Sequence, residues 1–248
     1  MKIKNIALVG NPNCGKTSLF NTLTGTRQKV ANYAGVTVER KEGSFKLPSG
    51  DAIRVLDLPG TYSLKPSSLD EEVTRAVCLG ELKGEILPDI FICVVDATNL
   101  SLHLSLVLEV RALNRPMILV LNMMDEVKKR GISIDKDKLS QLLGIPVVEA
   151  VAVKTKGIQD LINQLDQKNL FITPYHSELS HFEQVKQITK QVILNNDSGD
   201  KRTAFLDKIF LHPVLGLVIL TLTMFVMFQA VFIWATPFIE FIENFVAW

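Results

Sequence analysis

The sequence contains few cysteines and no block of like charge, and each of these absences excludes a class of protein. The three cysteines among its 248 residues are far apart and odd in number, so neither a disulfide framework nor a zinc site is indicated. Lysine and arginine total 27 against 26 acidic residues, and a formal net charge of +1 gives no support for nucleic-acid binding. The N-terminus lacks the pattern of a secretory signal peptide, so we expect the first part of the chain to face a reducing cytoplasm.

Charged side chains are also missing from a long C-terminal stretch. Residues 209–239 contain no Asp, Glu, Lys or Arg, and residues 214–234 are long enough to cross about 30 Å of hydrocarbon as a helix. Basic residues at 201, 202 and 208 precede this stretch, which favours a cytoplasmic N-terminal part. A buried core helix is the alternative, but a domain of this size seldom needs one so apolar. Residues 237–248 carry two glutamates and are typical of an interfacial helix or of the start of further spans.

The N-terminal part alternates between strand and helix patterns, with apolar runs typical of buried strands. Residues 41–46 precede a Pro-Ser-Gly-Asp turn and the next apolar run, which predicts a hairpin. This order predicts an α/β fold with a mostly parallel sheet and helices on both faces, followed by a small helical subdomain and a transmembrane helix. The predicted buried strands cover 53–58, 90–95, 117–121 and 147–153, and the predicted helices cover 71–81, 102–113, 136–143, 158–165, 177–195 and 201–210.

A phosphate-binding loop is the clearest motif in the chain. Residues 10–17 follow the G-x-x-x-x-G-K-[ST] pattern between a predicted strand and a predicted helix. Glycines let successive amides point at phosphate oxygens, Lys16 reaches the β- and γ-phosphates, and the Thr17 hydroxyl can ligate Mg²⁺. A glycine-rich turn that only joins strand to helix is the alternative. The predicted nucleotide-binding residues here are Gly10, Asn11, Pro12, Asn13, Cys14, Gly15, Lys16 and Thr17.

The base is expected to be read by residues that follow two later strands. Asn122, Met123 and Asp125 form an N-x-x-D motif after an apolar strand, and the Asp125 carboxylate can accept two N–H groups from the guanine edge. Met123 stands where most GTPases carry lysine, which alters one packing contact over the base. The segment after the last strand is a degenerate form of the S-A-[KL] loop that cradles the base, and its residues are Val151, Ala152 and Val153.

Two further segments complete the predicted site. Asp57, Leu58, Pro59 and Gly60 form a D-x-x-G motif, in which Asp57 can hold Mg²⁺ through water and the Gly60 amide can meet the γ-phosphate. Thr37 can close over Mg²⁺ and the γ-phosphate and release on hydrolysis. It lies in a segment, residues 28–39, that is expected to be a loop, and Gly35 and Val36 are predicted to touch the nucleotide beside it.

The residue after the D-x-x-G glycine is informative because many switch GTPases carry glutamine there to orient water. Here it is Thr61, and no arginine is an obvious internal finger. We therefore expect slow intrinsic hydrolysis of GTP to GDP and phosphate, or help from a monovalent cation. Lys16, Thr37 and Gly60 are the predicted catalytic residues, and Thr17, Thr37 and Asp57 the predicted Mg²⁺ ligands.

These motifs resemble the FeoB-type bacterial ferrous iron transporters. The strings that carry the resemblance are GNPNCGKT at 10–17, GVTVE at 35–39, DLPGTYSL at 57–64, DATNL at 96–100, LNMMD at 121–125 and LHP at 211–213. The resemblance implies a cytoplasmic GTPase domain, a spacer resembling a GDP-dissociation-inhibitor element, and an inner-membrane domain that moves Fe²⁺ inward. It also implies that Asn11 helps to bind an activating K⁺. Small cytoplasmic Feo-type accessory proteins and a homo-oligomer are implied as partners.

The resemblance divides the chain into a GTPase domain at 1–168, a helical spacer at 169–208, and a first membrane helix at 209–248. The chain departs from the family pattern at Val151 and in its length, because the family's membrane domain has many spans. A membrane-anchored signalling GTPase without transport activity remains an alternative, and the motifs up to Asp125 fit it equally. A soluble GTPase acting on RNA is disfavoured, because an uncharged apolar stretch stands where a basic module would be expected.

Overall fold

The computed structural model describes residues 4–25, 28–33, 36–150, 155–166, 179–195, 206 and 208–246. The chain forms two compact units, Met1–Asp197 and Ser198–Trp248. The strands of the first unit are β1 Asn5–Val9, β2 Gln28–Asn32, β3 Glu39–Lys46, β4 Ala52–Asp57, β5 Ile90–Asp96, β6 Met117–Asn122, β7 Ser133–Ile134, β8 Val147–Glu149 and β9 Ile193–Asn195. Its helices are α1 Lys16–Thr24, α2 Leu69–Leu79, α3 Leu100–Ala112, α4 Met124–Lys129, α5 Lys136–Leu143, α6 Thr155–Asp166 and α7 His181–Val192.

A seven-stranded sheet in the order β2-β3-β4-β1-β5-β6-β8 organises this unit. Strand β1 pairs in parallel with both β4 and β5, and only the β2–β3 and β3–β4 pairs of this sheet are antiparallel. Alternate residues of β1 enter two separate cores, with Ala7 and Val9 on one face and Ile6 and Leu8 on the other. Both faces of the sheet are therefore covered, which explains the continuous apolar strands. The predicted α/β class is confirmed.

The predicted hairpin is confirmed, since β3 and β4 pair antiparallel with Phe45 opposite Ile53. The loop predicted at residues 28–39 is wrong in its first half, because β2 there forms the outer strand of the sheet. All five β2 residues are exposed, so they show none of the apolar alternation that marks a half-buried strand. Backbone pairing with β3 alone makes this segment a strand.

The last helix of the first unit is shorter than predicted. It starts at a capping box, in which the Ser180 and Glu183 side chains each accept from the other's backbone, and it ends at Val192. The next three residues pair with β7 as a short strand, so the predicted continuation to residue 195 is wrong. Ile188 and Val192 are buried in the core that also contains residues of α3 and α5. Helix α7 thus packs on the same face of the sheet as these two helices.

The second unit contains the apolar helix that the sequence indicates. Helix α8 spans Leu215–Gln229, a π-helical stretch follows over Ala230–Trp234, and α9 spans Thr236–Val246. Together they run for 32 residues, Leu215–Val246, and an 18-residue window within them has a mean hydropathy of 2.3, so the stretch is long and apolar enough to cross a membrane. Thr221 and Thr223 donate to the carbonyls of Leu217 and Ile219, so these hydroxyls are satisfied inside the helix. 

Four alternating charges brace the outer strands against the loop before β5. The Glu85 carboxylate accepts from Arg40 Nε at 2.7 Å and from Arg54 Nη2 at 2.5 Å, and Glu42 bridges the same two arginines. Only 7% of the Glu85 side chain is exposed. Burial disfavours its charged form, but the two arginines outweigh burial and lower the pKa of Glu85 below its ordinary value.

We expect Glu85→Gln to destabilise the fold by about 1–3 kcal/mol, because two half-buried arginines lose a charged partner. Hydrogen exchange of the slowest β1 amides in the detergent-solubilised chain measures this change. Glu81→Gln is the control, since the Glu81 side chain is 55% exposed and pairs with Arg75 alone among the described residues, so its cost should stay within about 0.5 kcal/mol.

The same pair of variants predicts a pH dependence. A carboxylate with a lowered pKa stabilises the fold above its ordinary pKa, and this stabilisation is lost as the pH falls through the lowered value. The stability difference between wild type and Glu85→Gln should therefore shrink below about pH 4. A difference that stays constant down to about pH 3 would contradict the ion-pair assignment.

Candidate nucleotide-binding site

The predicted phosphate loop lies at the carboxyl ends of the central strands. Residues 10–15 leave β1 and enter α1, while Asp57 ends the neighbouring β4 and Asn122 ends β6. Parallel pairing brings these ends to one edge, with Leu8 beside Asp57 in the sheet register. Ligands of open α/β sheets bind at this edge.

Two glycines allow the phosphate loop to approach the strands beside it. A Cβ on Gly10 would lie 2.3 Å from the Val94 carbonyl oxygen, and a Cβ on Gly15 would lie 2.1 Å from Asn122 Nδ2. Gly15 also has a φ of +91°, and Asn13 has a φ of +62°, both in the left-handed region. The left-handed backbone at these two positions favours glycine and asparagine, which adopt it at little cost.

Asn122 holds the loop to β6. Its Nδ2 donates to the Cys14 carbonyl oxygen at 2.9 Å, and the residue is 3% exposed. The sequence motif suggested a base reader, but the structure places this side chain under the phosphate loop. Its neighbour Met123 caps α4 with a φ of +60°. Asp125 lies half-buried in the first turn of α4 with no hydrogen-bond partner among the described residues.

Thr17 and Asp57 form the polar pair expected of a magnesium site. Thr17 Oγ1 donates to Asp57 Oδ2 at 3.1 Å, and Asp57 is 6% exposed. The second oxygen, Oδ1, is buried with no partner among the described residues. Burial raises the pKa of Asp57, and the nearby Lys16 charge offsets only part of this effect. A buried carboxylate oxygen beside a threonine hydroxyl fits a hard cation such as Mg²⁺.

A cavity of about 240 Å³ opens beside this pair. Six predicted site residues line it: Lys16, Thr17, Asp57, Leu58, Pro59 and Gly60. Its other lining residues, Val38, Glu39, Lys41 and Asp70, were not predicted. Val38 and Glu39 directly follow the predicted Thr37, which was the available signal for them; Lys41 and Asp70 had none.

Thr37 itself is exposed and is not among the residues that line the cavity. Val36 is half-buried and packs against the core. Gly35, Val151, Ala152 and Val153 lie outside the described residues. 

The D-x-x-G segment is docked directly on the phosphate loop. A Cβ on Gly60 would lie 3.0 Å from both the Cα and the nitrogen of Pro12. The Thr61 amide donates to the Gly10 carbonyl at 3.2 Å, and Thr74 of α2 donates to the Pro59 carbonyl at 2.9 Å. The Thr61 hydroxyl donates to the Ser63 carbonyl at 2.5 Å and is buried. It is therefore engaged inside its own turn.

Asn11 is the other polar side chain of the loop that the fold leaves unsatisfied. It is 1% exposed, and neither its Oδ1 nor its Nδ2 has a partner among the described residues. Burial of an amide without partners costs free energy. The buried, unpartnered Oδ1 could bind a cation, as the predicted K⁺-binding role of Asn11 requires.

Comparison with known proteins identifies relatives of this arrangement. Residues 4–165 match the family model described as ferrous iron transport protein B. The Fe(2+) transporter FeoB of Salmonella typhimurium is 46% identical over 188 residues, which cover 74% of this chain and 23% of that protein. A Porphyromonas gingivalis protein, described as an Fe(2+) transport protein A/Fe(2+) transporter FeoB fusion protein, is 44% identical over 68% of this chain and 20% of its own length.

Solved structures of FeoB cytosolic domains share this fold. The cytosolic domain of L. pneumophila FeoB aligns with a TM-score of 0.71 at 32% identity, covering 77% of this chain and all of that one. The cytosolic domain of the T. maritima FeoB iron transporter in its GMPPNP form aligns with a TM-score of 0.66 at 34% identity, covering 78% and all of the respective chains.

We predict that Gly15→Ala and Asn122→Ala are energetically coupled. The Cβ that Gly15→Ala adds must displace the Asn122 amide and break its hydrogen bond to Cys14. Asn122→Ala should therefore cost little further stability in the Gly15→Ala background. A double-mutant cycle on unfolding should show a coupling of about 1 kcal/mol or more.

Gly50→Ala is the matched control for backbone strain. Gly50 has a φ of +86°, close to that of Gly15, but no atom lies within 4 Å of its added Cβ. Gly50→Ala should therefore lower the free energy of unfolding by only the cost of placing alanine in the left-handed region, about 1–2 kcal/mol. Additive costs for Gly15→Ala and Asn122→Ala would contradict the close approach.

Proposed function

This chain belongs to the ferrous iron transport protein B family, whose G domains are P-loop GTPases, and we propose that it binds and hydrolyses GTP at the cavity beside Thr17 and Asp57. The observation that carries the proposal is the convergence of Lys16, Thr17, Asp57 and Gly60 on one cavity at the carboxyl edge of the sheet. The four come from two motifs that are about 40 residues apart, and only the fold brings them together.

Each part of the loop has a defined task. The amides of residues 10–15 surround the phosphates, Lys16 pairs with the β- and γ-phosphates, and the Gly60 amide donates to the γ-phosphate. Thr17, Thr37 and Asp57 would hold Mg²⁺, Asp57 through a bridging water. The metal, when bound, neutralises charge on the phosphate oxygens. Thr37 must swing inward to take part, since it is exposed in this structure.

The base lies beyond the phosphate loop, over α4. Asp125 accepts two N–H groups of guanine, Met123 packs over the ring, and Asn122 orders the loop beneath it through the Cys14 carbonyl. We also assign Val151, Ala152 and Val153 to holding the base, and Gly35 and Val36 to contact with the nucleotide.

Hydrolysis is slow unless a cation assists. The Thr61 hydroxyl already donates within its own turn, so it does not orient a water as glutamine does in other GTPases. Asn11 would hold K⁺ through its buried amide oxygen, and the ion would supply positive charge that stabilises the charge developing on the phosphate in the transition state.

The complete protein, we propose, takes up Fe²⁺ through the bacterial inner membrane, with this GTPase domain in the cytoplasm. The chain spans only 23% of the length of the transporter it matches from Salmonella. Its apolar helix Leu215–Val246 is the first membrane span, after a helical spacer at 169–208. The fusion found in Porphyromonas gingivalis supports a small Feo-type accessory protein as partner. A homo-oligomer is part of the proposal.

Uptake of Fe²⁺ into vesicles by the complete gene product, with and without Lys16→Ala, tests this role. Loss of uptake in the variant supports coupling of transport to the nucleotide site. Uptake that does not depend on Lys16 would remove the coupling of transport to the nucleotide site. No uptake by the unaltered gene product would favour the alternative, a membrane-anchored signalling GTPase without transport activity.

Asp125→Asn should weaken GDP binding by tenfold or more, because the carboxylate that accepts two base N–H groups is lost. Such hydrogen bonds to a charged group contribute about 1–3 kcal/mol. It should also admit xanthosine diphosphate, whose edge offers an acceptor to the new amide. Calorimetry on the detergent-solubilised chain with Mg²⁺ measures both. Glu126→Gln is the control, since Glu126 faces Lys129 on the outside of α4. Unchanged GDP affinity in Asp125→Asn would refute the base assignment.

Asn11→Ala should abolish any difference between K⁺ and Na⁺ in the rate of GTP hydrolysis, because the amide oxygen that selects the cation is gone. Phosphate release measured in matched potassium and sodium chloride provides its own control. Equal rates in the two salts for the unaltered chain would remove the cation role from Asn11.

A further inference from the structure

The segment that follows Gly60 has no regular secondary structure, yet nearly every polar group in it is held. We call residues 61–67 the switch segment. Two carboxylates from different helices bind it, Glu71 of α2 and Glu109 of α3. Glu71 accepts from the amides of Tyr62 and Ser67 and from the Ser67 hydroxyl, and so secures the segment where it enters its own helix.

Glu109 binds the middle of the switch segment from a helix that is 45 residues away in sequence. Ser63 Oγ lies 2.9 Å from both Glu109 carboxylate oxygens, and the Leu64 amide donates to Oε2 at 2.5 Å. Ser63 Oγ in turn accepts from the Lys65 amide at 3.0 Å. The Glu109 carboxylate therefore binds two consecutive residues directly and a third through the Ser63 hydroxyl. Hydrogen bonds to a charged acceptor are stronger than neutral ones.

The bonds to Glu109 continue to the phosphate loop. The Thr61 hydroxyl donates to the Ser63 carbonyl, and the Thr61 amide donates to the Gly10 carbonyl. Gly60, immediately before Thr61, rests on Pro12. The position of the Gly60 amide at the cavity thus depends on contacts that lead back to Glu109.

Helix α3 is a rigid support for this purpose. Its residues on either side of Glu109, Leu108 and Val110, are at most 1% exposed, and Leu64 packs against the same core. A helix packed in this way fixes the backbone of Glu109, so its carboxylate stays in place as long as the side-chain rotamer is held by its hydrogen bonds. The switch segment is therefore fastened to the interior of the domain as well as to α2.

We propose that Glu109 is a positioning residue for GTP hydrolysis: it fixes the switch segment so that the Gly60 amide stays where the last phosphate of GTP lies. This inference rests on the proposed function. GDP has no third phosphate to meet Gly60, so Glu109 acts on the triphosphate state and leaves diphosphate affinity nearly untouched.

The test compares Glu109→Ala, Glu109→Gln and Glu72→Gln in the full chain in detergent. Glu109→Ala should lower kcat for GTP by about 10- to 100-fold, since small misplacements of a catalytic group have effects of this size. GDP affinity should change by less than about threefold, because the phosphate loop keeps its own supports. Glu109→Gln retains one acceptor oxygen and should recover part of the rate.

Glu72→Gln is the matched control, because it removes an exposed carboxylate next to Glu71 that makes no hydrogen bond or ion pair with the switch segment. It should match the unaltered chain. Hydrogen exchange supplies a readout independent of turnover: the Leu64 and Lys65 amides should exchange faster in Glu109→Ala while those of β1 remain protected.

The failures are distinguishable. An unaltered chain that neither binds nor hydrolyses GTP would overturn the proposed function itself. An active unaltered chain whose Glu109→Ala variant keeps its kcat, or loses GDP and GTP affinity equally, would overturn only the role of Glu109.

Discussion

Three positions without a side chain allow the site to form. Gly10, Gly15 and Gly60 each lie so close to another segment that a Cβ would fall within 3.0 Å of a neighbouring atom. Gly10 lets the phosphate loop lie on β5, Gly15 lets it receive the Asn122 amide, and Gly60 lets the D-x-x-G segment rest on the loop. Three strand ends thereby converge at distances that any larger residue would prevent.

This convergence leaves polar groups buried at a cost to the fold alone. Asp57 keeps one carboxylate oxygen without a partner, and Asn11 keeps both amide atoms without one, within the part of the chain that the structure describes. Burial also raises the pKa of Asp57, which shows that its charged form is disfavoured where it stands. The two unpartnered oxygens can be satisfied by cations, so ligand binding at this site would recover free energy that folding does not. The site is thus prepared for binding at the expense of stability.

The switch segment connects this prepared site to the rest of the domain. Glu71 and Glu109 hold it from two helices, and α3, which carries Glu109, packs against α7 through the core that contains Ile188 and Val192. Packed helices resist small displacements and respond as units. A movement of Gly60 therefore has a physical route to α3, and from α3 to the helix that the sequence assigned to the spacer.

Local patterns in the sequence determined the phosphate loop, the β3–β4 hairpin, the α/β class and the apolar helix, because each depends on neighbours in the chain. Only the tertiary structure decided that residues 28–32 form an edge strand, that α7 ends at Val192, and that Lys41 and Asp70 line the cavity. The same holds for the hydrogen bonds of Asn122 with Cys14 and of Glu109 with Leu64, whose partners are 108 and 45 residues apart. Nothing in the spacing of such residues encodes the contact, since it exists only after the sheet has ordered its strands and brought their ends together.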